Sequence, residues 1–162
     1  MSKPDHRRGD WAERLLFPLV ALFIVIADQL TKLWMVSLLF PHKVIPVLGS
    51  LRLALVYNKG VAFGLFADQT YISVAVFLAL VLIFVFYRSR LFYGLWGHLA
   101  FGLILGGAVG NLIDRLRFGY VTDFVDLGFW PVFNLADSAV TVGVSLLAYS
   151  MYSFAKRQTR RG

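Results

Sequence analysis

Long apolar segments are the feature that most limits what this chain can fold into. Four of them cover residues 15–40, 71–88, 95–114 and 135–154. About 20 apolar residues at a helical rise of 1.5 Å cross the hydrocarbon core of a bilayer. Only 15% of the chain is charged, against about 25% in an ordinary soluble domain. We therefore predict a membrane all-α fold, in which residues 1–162 form one domain with a bundle of four transmembrane helices.

The two outer loops of this bundle are residues 41–70 and 115–134. In the first loop, LRLALVYN at Leu51 to Asn58 alternates imperfectly between apolar and polar residues, and VAFGLF follows the turn sequence Asn58-Lys59-Gly60. This pattern predicts a small extracytoplasmic β-hairpin. The favoured interpretation of Asn58 is a turn residue that tolerates a left-handed conformation.

Charge and composition argue against several functions. The net charge is +7, but the basic residues lie at the two ends and in one short loop, without interleaved aromatic residues, so nucleic acid is not an expected partner. The chain has no Cys, and its three His residues are far apart in sequence. We therefore predict no disulfide, no thiolate nucleophile and no metal site.

The stretch from Gly110 to Ser138 holds four of the nine acidic residues beside two apolar segments, where an unpaired charge costs several kcal/mol. On a helix Asn111, Asp114 and Arg115 share one face. Asn134 and Asp137 repeat the spacing of three at the start of the last segment, and Asp123 lies between the two groups. Two carboxylates with amide neighbours are the groups needed to activate water by general acid and base catalysis.

Each pair also has a purely structural interpretation. Asn134 and Asp137 fit an N-cap and the acid that closes the first turn of a helix, and Asp114 with Arg115 fits an interfacial ion pair. Asp28 and Lys32, four residues apart in the first span, fit either an ion pair turned toward the bundle or a role in orienting a site.

Five motifs carry a resemblance to a known family. DQLTK, YNKGVAFG, GNLIDR, VTDFVD and FNLADS, in this order, resemble the motifs of bacterial lipoprotein signal peptidases (signal peptidase II). The resemblance implies a membrane aspartyl endopeptidase that needs no cofactor and removes signal peptides from prolipoproteins just before a lipid-modified Cys. It places the protein in the bacterial cytoplasmic (inner) membrane, as a monomer in contact with membrane lipids, and implies inhibition by globomycin-type depsipeptides.

The same resemblance assigns the residues. The catalytic aspartates fall on Asp123 and Asp137. The supporting or substrate-binding positions fall on Asp28, Lys32, Asn58, Gly60, Asn111, Asp114, Arg115, Asn134 and Ala136. We further expect Arg115 to hold Asp114 or a neighbouring carbonyl rather than transfer protons, and the outer strands around Asn58 to clamp an extended signal peptide.

Two other functions remain as alternatives. Intramembrane Asp residues also line the proton paths of transporters and channels, although here the acids are expected in one outer layer. A Ser/Lys peptidase would pair Ser37 or Ser138 with Lys32 or Lys59, but no spacing favours that pairing.

The basic residues predict the topology. Ten of them flank the spans on one side: Lys3, Arg7, Arg8, Arg14, Arg88, Arg90, Lys156, Arg157, Arg160 and Arg161. Because basic residues remain on the cytoplasmic side, reporter fusions at Ser89 and Gly162 should give a cytoplasmic signal and a fusion at His42 an external one. An external signal at Ser89 or Gly162 would reverse the predicted depth of every polar residue.

Overall fold

A computed structural model of the protein describes residues 7–41, 43–59 and 94–159, with side chains from 15 onward in the first helix and from 95 onward in the second. The elements in chain order are α1 (Arg7–Leu39), β1 (Val44–Leu48), β2 (Leu51–Asn58), α2 (Gly94–Phe118), β3 (Val121–Asp126) and α3 (Leu135–Thr159). Within these residues, the long apolar helices able to cross a membrane are Leu15–Leu39, Leu95–Phe118 and Leu135–Thr159.

These helices confirm three of the four predicted spans. The predicted span at 71–88 and the predicted strand VAFGLF lie outside the described residues. Helix α2 continues four residues beyond the predicted end at 114. The residue that ends it is Gly119. This glycine has a φ of 76°, and its N–H donates to the carbonyl of Arg115 at 3.0 Å, which is a helix C-cap that favours glycine.

Helix α2 packs between α1 and α3 through small residues on opposite faces. A Cβ on Gly106 would lie 2.7 Å from Cβ of Ile24 in α1, and a Cβ on Gly107 would meet the carbonyl oxygen of Ala136 in α3. Absent side chains therefore allow both neighbouring backbones to approach α2 closely. These two glycines thus allow the three helices to pack closely.

The sheet at the end of the bundle has three antiparallel strands in the order β1-β2-β3. The predicted small sheet is confirmed, and β2 pairs with the preceding strand β1 across a turn at Gly49, where φ is 57°. The predicted pairing of β2 with VAFGLF lies outside the described residues. Strand β3 was expected to be part of a loop, and it pairs with β2 so that Val56 faces Asp123 and Asn58 faces Val121. Asn58 is therefore the last residue of a strand, and its interpretation as a left-handed turn residue is wrong.

The sheet rests on the end of α1. Met35 and Leu39 of α1 and Phe124 of β3 form a buried apolar cluster, and Ile45, Leu53, Leu55 and Val125 of the three strands pack against it. After β3 the chain turns back, and Phe133 pairs with Val125 through hydrogen bonds of 2.8 and 3.1 Å. This pairing brings the segment just before α3 alongside the strand that carries Asp123.

Candidate active site

A buried cation joins α1 to α2 at the end of the bundle. Nζ of Lys32 lies 2.8 Å from Oδ2 of Asp28, 3.0 Å from Oδ2 of Asp114 and 2.9 Å from Oδ1 of Asn111. Lys32 is 4% exposed, and the two aspartates are 0% and 2% exposed. An ammonium group has three protons, and each has an acceptor here. The predicted ion pair of Asp28 and Lys32 is confirmed, and it includes Asp114.

The same two aspartates hold other elements. Oδ1 of Asp28 accepts the backbone N–H of Ala136 in the first turn of α3 at 3.0 Å. Oδ2 of Asp114 accepts the backbone N–H of Thr122 in β3 at 3.0 Å. A Cβ on Gly110 would lie 2.6 Å from Oδ2 of Asp28, so a side chain at this position would displace the carboxylate. Asp28 and Asp114 thus position α3 and β3 relative to the bundle.

Asp123 and Asp137, the predicted catalytic pair, are held by neutral amide groups. The two oxygens of Asp123 accept from Nδ2 of Asn134 at 2.7 Å and from Nδ2 of Asn58 at 2.9 Å. Those of Asp137 accept from Nδ2 of Asn111 at 2.8 Å and from the backbone N–H of Asn134 at 3.2 Å. Each carboxylate oxygen has about two lone-pair sites, so each retains one for a water molecule or a proton.

Asn134 connects the two carboxylates and also caps α3. Its Oδ1 accepts the backbone N–H of Asp137 at 2.9 Å, and the reciprocal bond from its own N–H to Asp137 completes a capping box. The structural interpretation of this pair is therefore confirmed. The capping contacts leave Nδ2 of Asn134 directed at Asp123 and, at 3.1 Å, at Oδ1 of Asn111, so one residue serves both the helix end and the site.

Burial of Asp123 in strand β3, where it is 1% exposed, raises the pKa of its carboxyl to about 6. The hydrogen bond from Asn58 favours the carboxylate and lowers this pKa, the nearby charge of Asp137 raises it, and Asn134 and Lys32 lower it. Burial dominates because an ionised carboxylate loses its water while its partners are mostly neutral. Asp123 is therefore ready to exchange a proton near neutral pH.

Arg115 has a different position from the one predicted. The ion pair of Asp114 is formed with Lys32, so the interpretation of Asp114 and Arg115 as an interfacial ion pair is wrong, while a supporting role of Arg115 stays a prediction. The half-buried Arg115 interacts electrostatically with Asp137, Asp123 and Asp114. Gly60, another predicted supporting residue, lies outside the described residues.

Sequence reasoning missed Gln29. Its Nε2 donates to Oδ1 of Asp114 at 3.0 Å, to the carbonyl of Gly110 at 3.2 Å and to Oδ2 of Asp28 at 3.3 Å. A polar amide next to Asp28 inside an apolar span was the available signal, because such groups need partners within the bundle.

Two alternative chemistries lack support in this geometry. The hydroxyls of Ser37 and Ser138 donate to the carbonyls of Trp34 and Asn134. Lys32 binds carboxylates, whereas in a Ser/Lys peptidase the lysine would contact the serine hydroxyl. Among residues 7–41, 43–59 and 94–159, no three His, Cys, Asp or Glu side chains are grouped to hold a metal ion.

An apolar groove of about 370 Å³ begins at Asp137. Its apolar lining comes from the segment before α3 and from α3 itself: Leu127, Phe129, Trp130, Phe133 and Val142. Two hydroxyls also line it, but Ser138 donates to the carbonyl of Asn134 and Thr141 to the carbonyl of Asp137. The groove therefore suits an apolar group, with Asp137 at its polar end.

Two carboxylates held by amides at the end of apolar helices, beside an apolar groove, define an aspartic hydrolase of the membrane. The sequence model described as signal peptidase (SPase) II matches residues 20–153. The chain belongs to the signal peptidase II family and is an aspartic-type peptidase.

Individual relatives agree with this assignment. The chain is 45% identical over 146 residues to the lipoprotein signal peptidase of Moorella thermoacetica, covering 89% of this chain and 97% of the relative. It is 41% identical over 140 residues to that of Syntrophomonas wolfei, covering 86% and 94%. Among solved structures, a bacterial membrane enzyme determined at 2.3 Å by the in meso method superposes with a TM-score of 0.71 at 30% identity, over 90% of this chain and 91% of that one.

The hydrogen bond between Asn58 and Asp123 predicts a pH effect. Because the pKa of Asp123 is raised to about 6, its carboxyl ionises as the pH rises through that value. Asn58→Ala removes a donor that favours the carboxylate, so the pKa should rise further. In a plot of the cleavage rate against pH, the change in rate near pH 6 that reports this ionisation should then move to higher pH.

Val47→Ala is a suitable control, since Val47 is an exposed residue of β1 in the same sheet. It should leave this change in rate at the same pH. An unmoved change in rate in Asn58→Ala, or an equal displacement in both variants, would contradict this account of Asp123.

Proposed function

We propose that this protein removes signal peptides from diacylglyceryl-modified prolipoproteins, cleaving before the lipid-modified Cys with water activated by Asp123 and Asp137. The names of the relatives support the substrate class. We place the enzyme in the bacterial cytoplasmic membrane as a monomer, with both termini in the cytoplasm and the site near the outer leaflet. The basic residues that flank the spans support this orientation.

One observation carries the assignment of the catalytic pair. Among the aspartates predicted to meet at the end of the bundle, Asp28 and Asp114 bind Lys32 directly, whereas the hydrogen-bond donors of Asp123 and Asp137 are amides. The oxygens of Asp28 and Asp114 are thus occupied by a cation and by backbone N–H groups, which suits a structural role. Amide donors position a carboxylate without neutralising it, so Asp123 and Asp137 are the pair that can exchange protons.

The mechanism follows from one proton shared by this pair. Two nearby carboxylates are not both ionised at low cost, so they titrate as a unit. The ionised member takes a proton from water as the water oxygen attacks the scissile carbonyl carbon. The protonated member donates to the carbonyl oxygen, and a proton then passes to the leaving nitrogen as the C–N bond breaks. The amides of Asn111, Asn134 and Asn58 keep both carboxyl groups oriented throughout.

The apolar groove supports a lipidated substrate. The protons of its two hydroxyls are already donated to backbone carbonyls, so most carbonyl groups of a peptide placed along it would lack a donor, which is costly. A hydrocarbon chain needs none. An acyl chain in the groove places the attached glyceryl group and Cys beside Asp137, and this remote contact helps to align the scissile bond.

A proton-coupled transporter is less consistent with the arrangement. Asp28, Asp114, Asp123 and Asp137 belong to one connected set of contacts at one end of the described helices, instead of being spaced through the bilayer. Proton paths across a membrane need groups along the whole path.

Substitution of the pair tests the mechanism. Asp123→Asn and Asp137→Asn should each abolish cleavage of a diacylated prolipoprotein by the purified enzyme, because an amide neither takes nor gives the required proton. Cleavage by the wild-type enzyme should also stop with a cyclic depsipeptide of the globomycin type.

Asp126→Asn provides the matched control. Asp126 is three residues beyond Asp123 on the same strand, and its carboxylate binds the partly exposed Arg52 at 2.6 Å. Arg52 is half exposed, and an asparagine keeps an oxygen that can accept the N–H of Gly128, as Oδ1 of Asp126 does at 2.7 Å, so this variant should keep most of its activity. An inactive Asp126→Asn together with an active Asp123→Asn would show that the pair is misassigned.

Filling the groove tests how the lipid is held. Val142→Trp should slow cleavage of the lipidated precursor much more than cleavage of the same precursor without acyl chains, because only the lipidated form uses the groove. Val144→Trp is the control: Val144 is on the same helix and is 53% exposed, against 51% for Val142, but it does not line the groove. Equal wild-type rates on lipidated and unlipidated precursors in the same detergent would refute a role for the acyl chains.

A further inference from the structure

The amide of Asn111 links the buried cation to the catalytic pair. Its Oδ1 accepts from Nζ of Lys32 at 2.9 Å and from Nδ2 of Asn134 at 3.1 Å. Its Nδ2 donates to Oδ1 of Asp137 at 2.8 Å. Lys32 therefore contacts a group that itself contacts Asp137, and all these atoms belong to one chain of hydrogen bonds.

The chemistry of lysine fixes the direction of this chain. An ammonium group donates and has no acceptor, so the oxygen of Asn111, and not its nitrogen, must face Lys32. The nitrogen is then left to face Asp137. If the amide of Asn111 turned by half a rotation, its N–H groups would point at a cation and its oxygen at a carboxylate. Both hydrogen bonds would break, and each would be replaced by a repulsive pair.

We infer that Lys32 is a positioning residue for catalysis, which acts on Asp137 through the side-chain amide of Asn111. This inference rests on the proposed function of Asp137. Lys32 is also the counter-ion of Asp28 and Asp114. That role uses two of its three ammonium protons and leaves the third for Asn111.

A charged donor has a further effect on the amide. Hydrogen bonds from ions are shorter and stronger than those between neutral groups, and bonds in a chain polarise one another where the surroundings are apolar. Lys32 is 4% exposed, so its charge acts with little screening by water. The ammonium at Oδ1 thus makes Nδ2 of Asn111 a stronger donor to Asp137, in addition to fixing its direction.

A double-mutant cycle tests this coupling. Lys32→Met, Asn111→Ala and the double variant are purified, and only the monodisperse fraction is assayed for kcat and KM on a diacylated prolipoprotein, with thermal unfolding measured in parallel. Lys32→Met should lower kcat by about 10- to 100-fold, as losses of orienting partners commonly do, with KM little changed. In the Asn111→Ala background the same change should alter kcat by no more than about twofold, because the link is already broken.

Independent effects would contradict the inference. If Lys32→Met lowers kcat by the same factor with and without Asn111, or acts on KM alone, Lys32 is a structural counter-ion only. Thermal unfolding reports the counter-ion role separately, since the loss of Lys32 should lower the unfolding temperature both with Asn111 in place and in the Asn111→Ala background.

Lys32→Gln guards against a Met variant that does not fold. Its amide keeps a neutral donor that can reach Asn111, so Lys32→Gln should retain a higher kcat than Lys32→Met. If only the Gln variant can be purified, its effect on kcat should depend on Asn111 in the same way. Equal kcat values for the two, or a Gln effect independent of Asn111, would overturn the proposal. If Asp137→Asn cleaves the precursor as the wild-type enzyme does, the proposed role of Asp137 is wrong, whatever the result of the double-mutant cycle.

Discussion

The contact of Lys32 with Asp28 and Asp114 is the interaction on which the rest of this structure depends. Removing one partner of a buried ionic group typically costs about 3–5 kcal/mol, although such a group adds little stability compared with well-packed apolar side chains. Its value is positional. Lys32 and Asp28 are on α1, while Asp114 and Asn111 are on α2, so sliding one helix past the other by one turn of about 5.4 Å would break the contacts between them. The cluster therefore sets the register of an apolar interface that glycine packing alone leaves free to slide.

That register determines where the site forms. Asp28 accepts the N–H of Ala136, so α3 begins at a fixed height against α1, and Asp114 accepts the N–H of Thr122, so β3 lies at a fixed height against α2. Asp123 follows Thr122 and Asp137 follows Ala136. Asp28 and Asp114 thus each bind the backbone one residue before a member of the proposed catalytic pair, and the distance between Asp123 and Asp137 follows from the geometry of the bundle.

The sequence was sufficient for the polar set but not for the strands that carry part of it. Charged and amide residues in or beside apolar segments are costly enough to be conspicuous, so Asp28, Asn111, Asp114, Asp123, Asn134 and Asp137 could be predicted to lie together. Strand β3 could not be predicted, because Val121 to Asp126 is a short segment whose pairing with β2 depends on contacts distant in sequence. For the same reason Asn58 was interpreted as a turn residue. The partner of Asp114 was also misassigned, since neighbouring positions on a helix suggest Arg115 while only the packing of α1 against α2 brings Lys32 close.

The environment of each carboxylate explains how one side-chain type performs two tasks within a few ångströms. Asp28 and Asp114 bind a buried cation directly and also accept backbone N–H groups, so their oxygens are occupied by structural contacts. Asp123 and Asp137 face amides, which supply direction without a full positive charge, and burial then raises the pKa of Asp123 to about 6. A protein in water could leave such a pair partly hydrated. At the end of a membrane bundle water is scarce, so the polar partners must come from the protein itself, and three asparagines supply them. Lys32 reaches Asp137 only through Asn111. In the proposed mechanism this arrangement orients the carboxylate without placing a cation in direct contact with it.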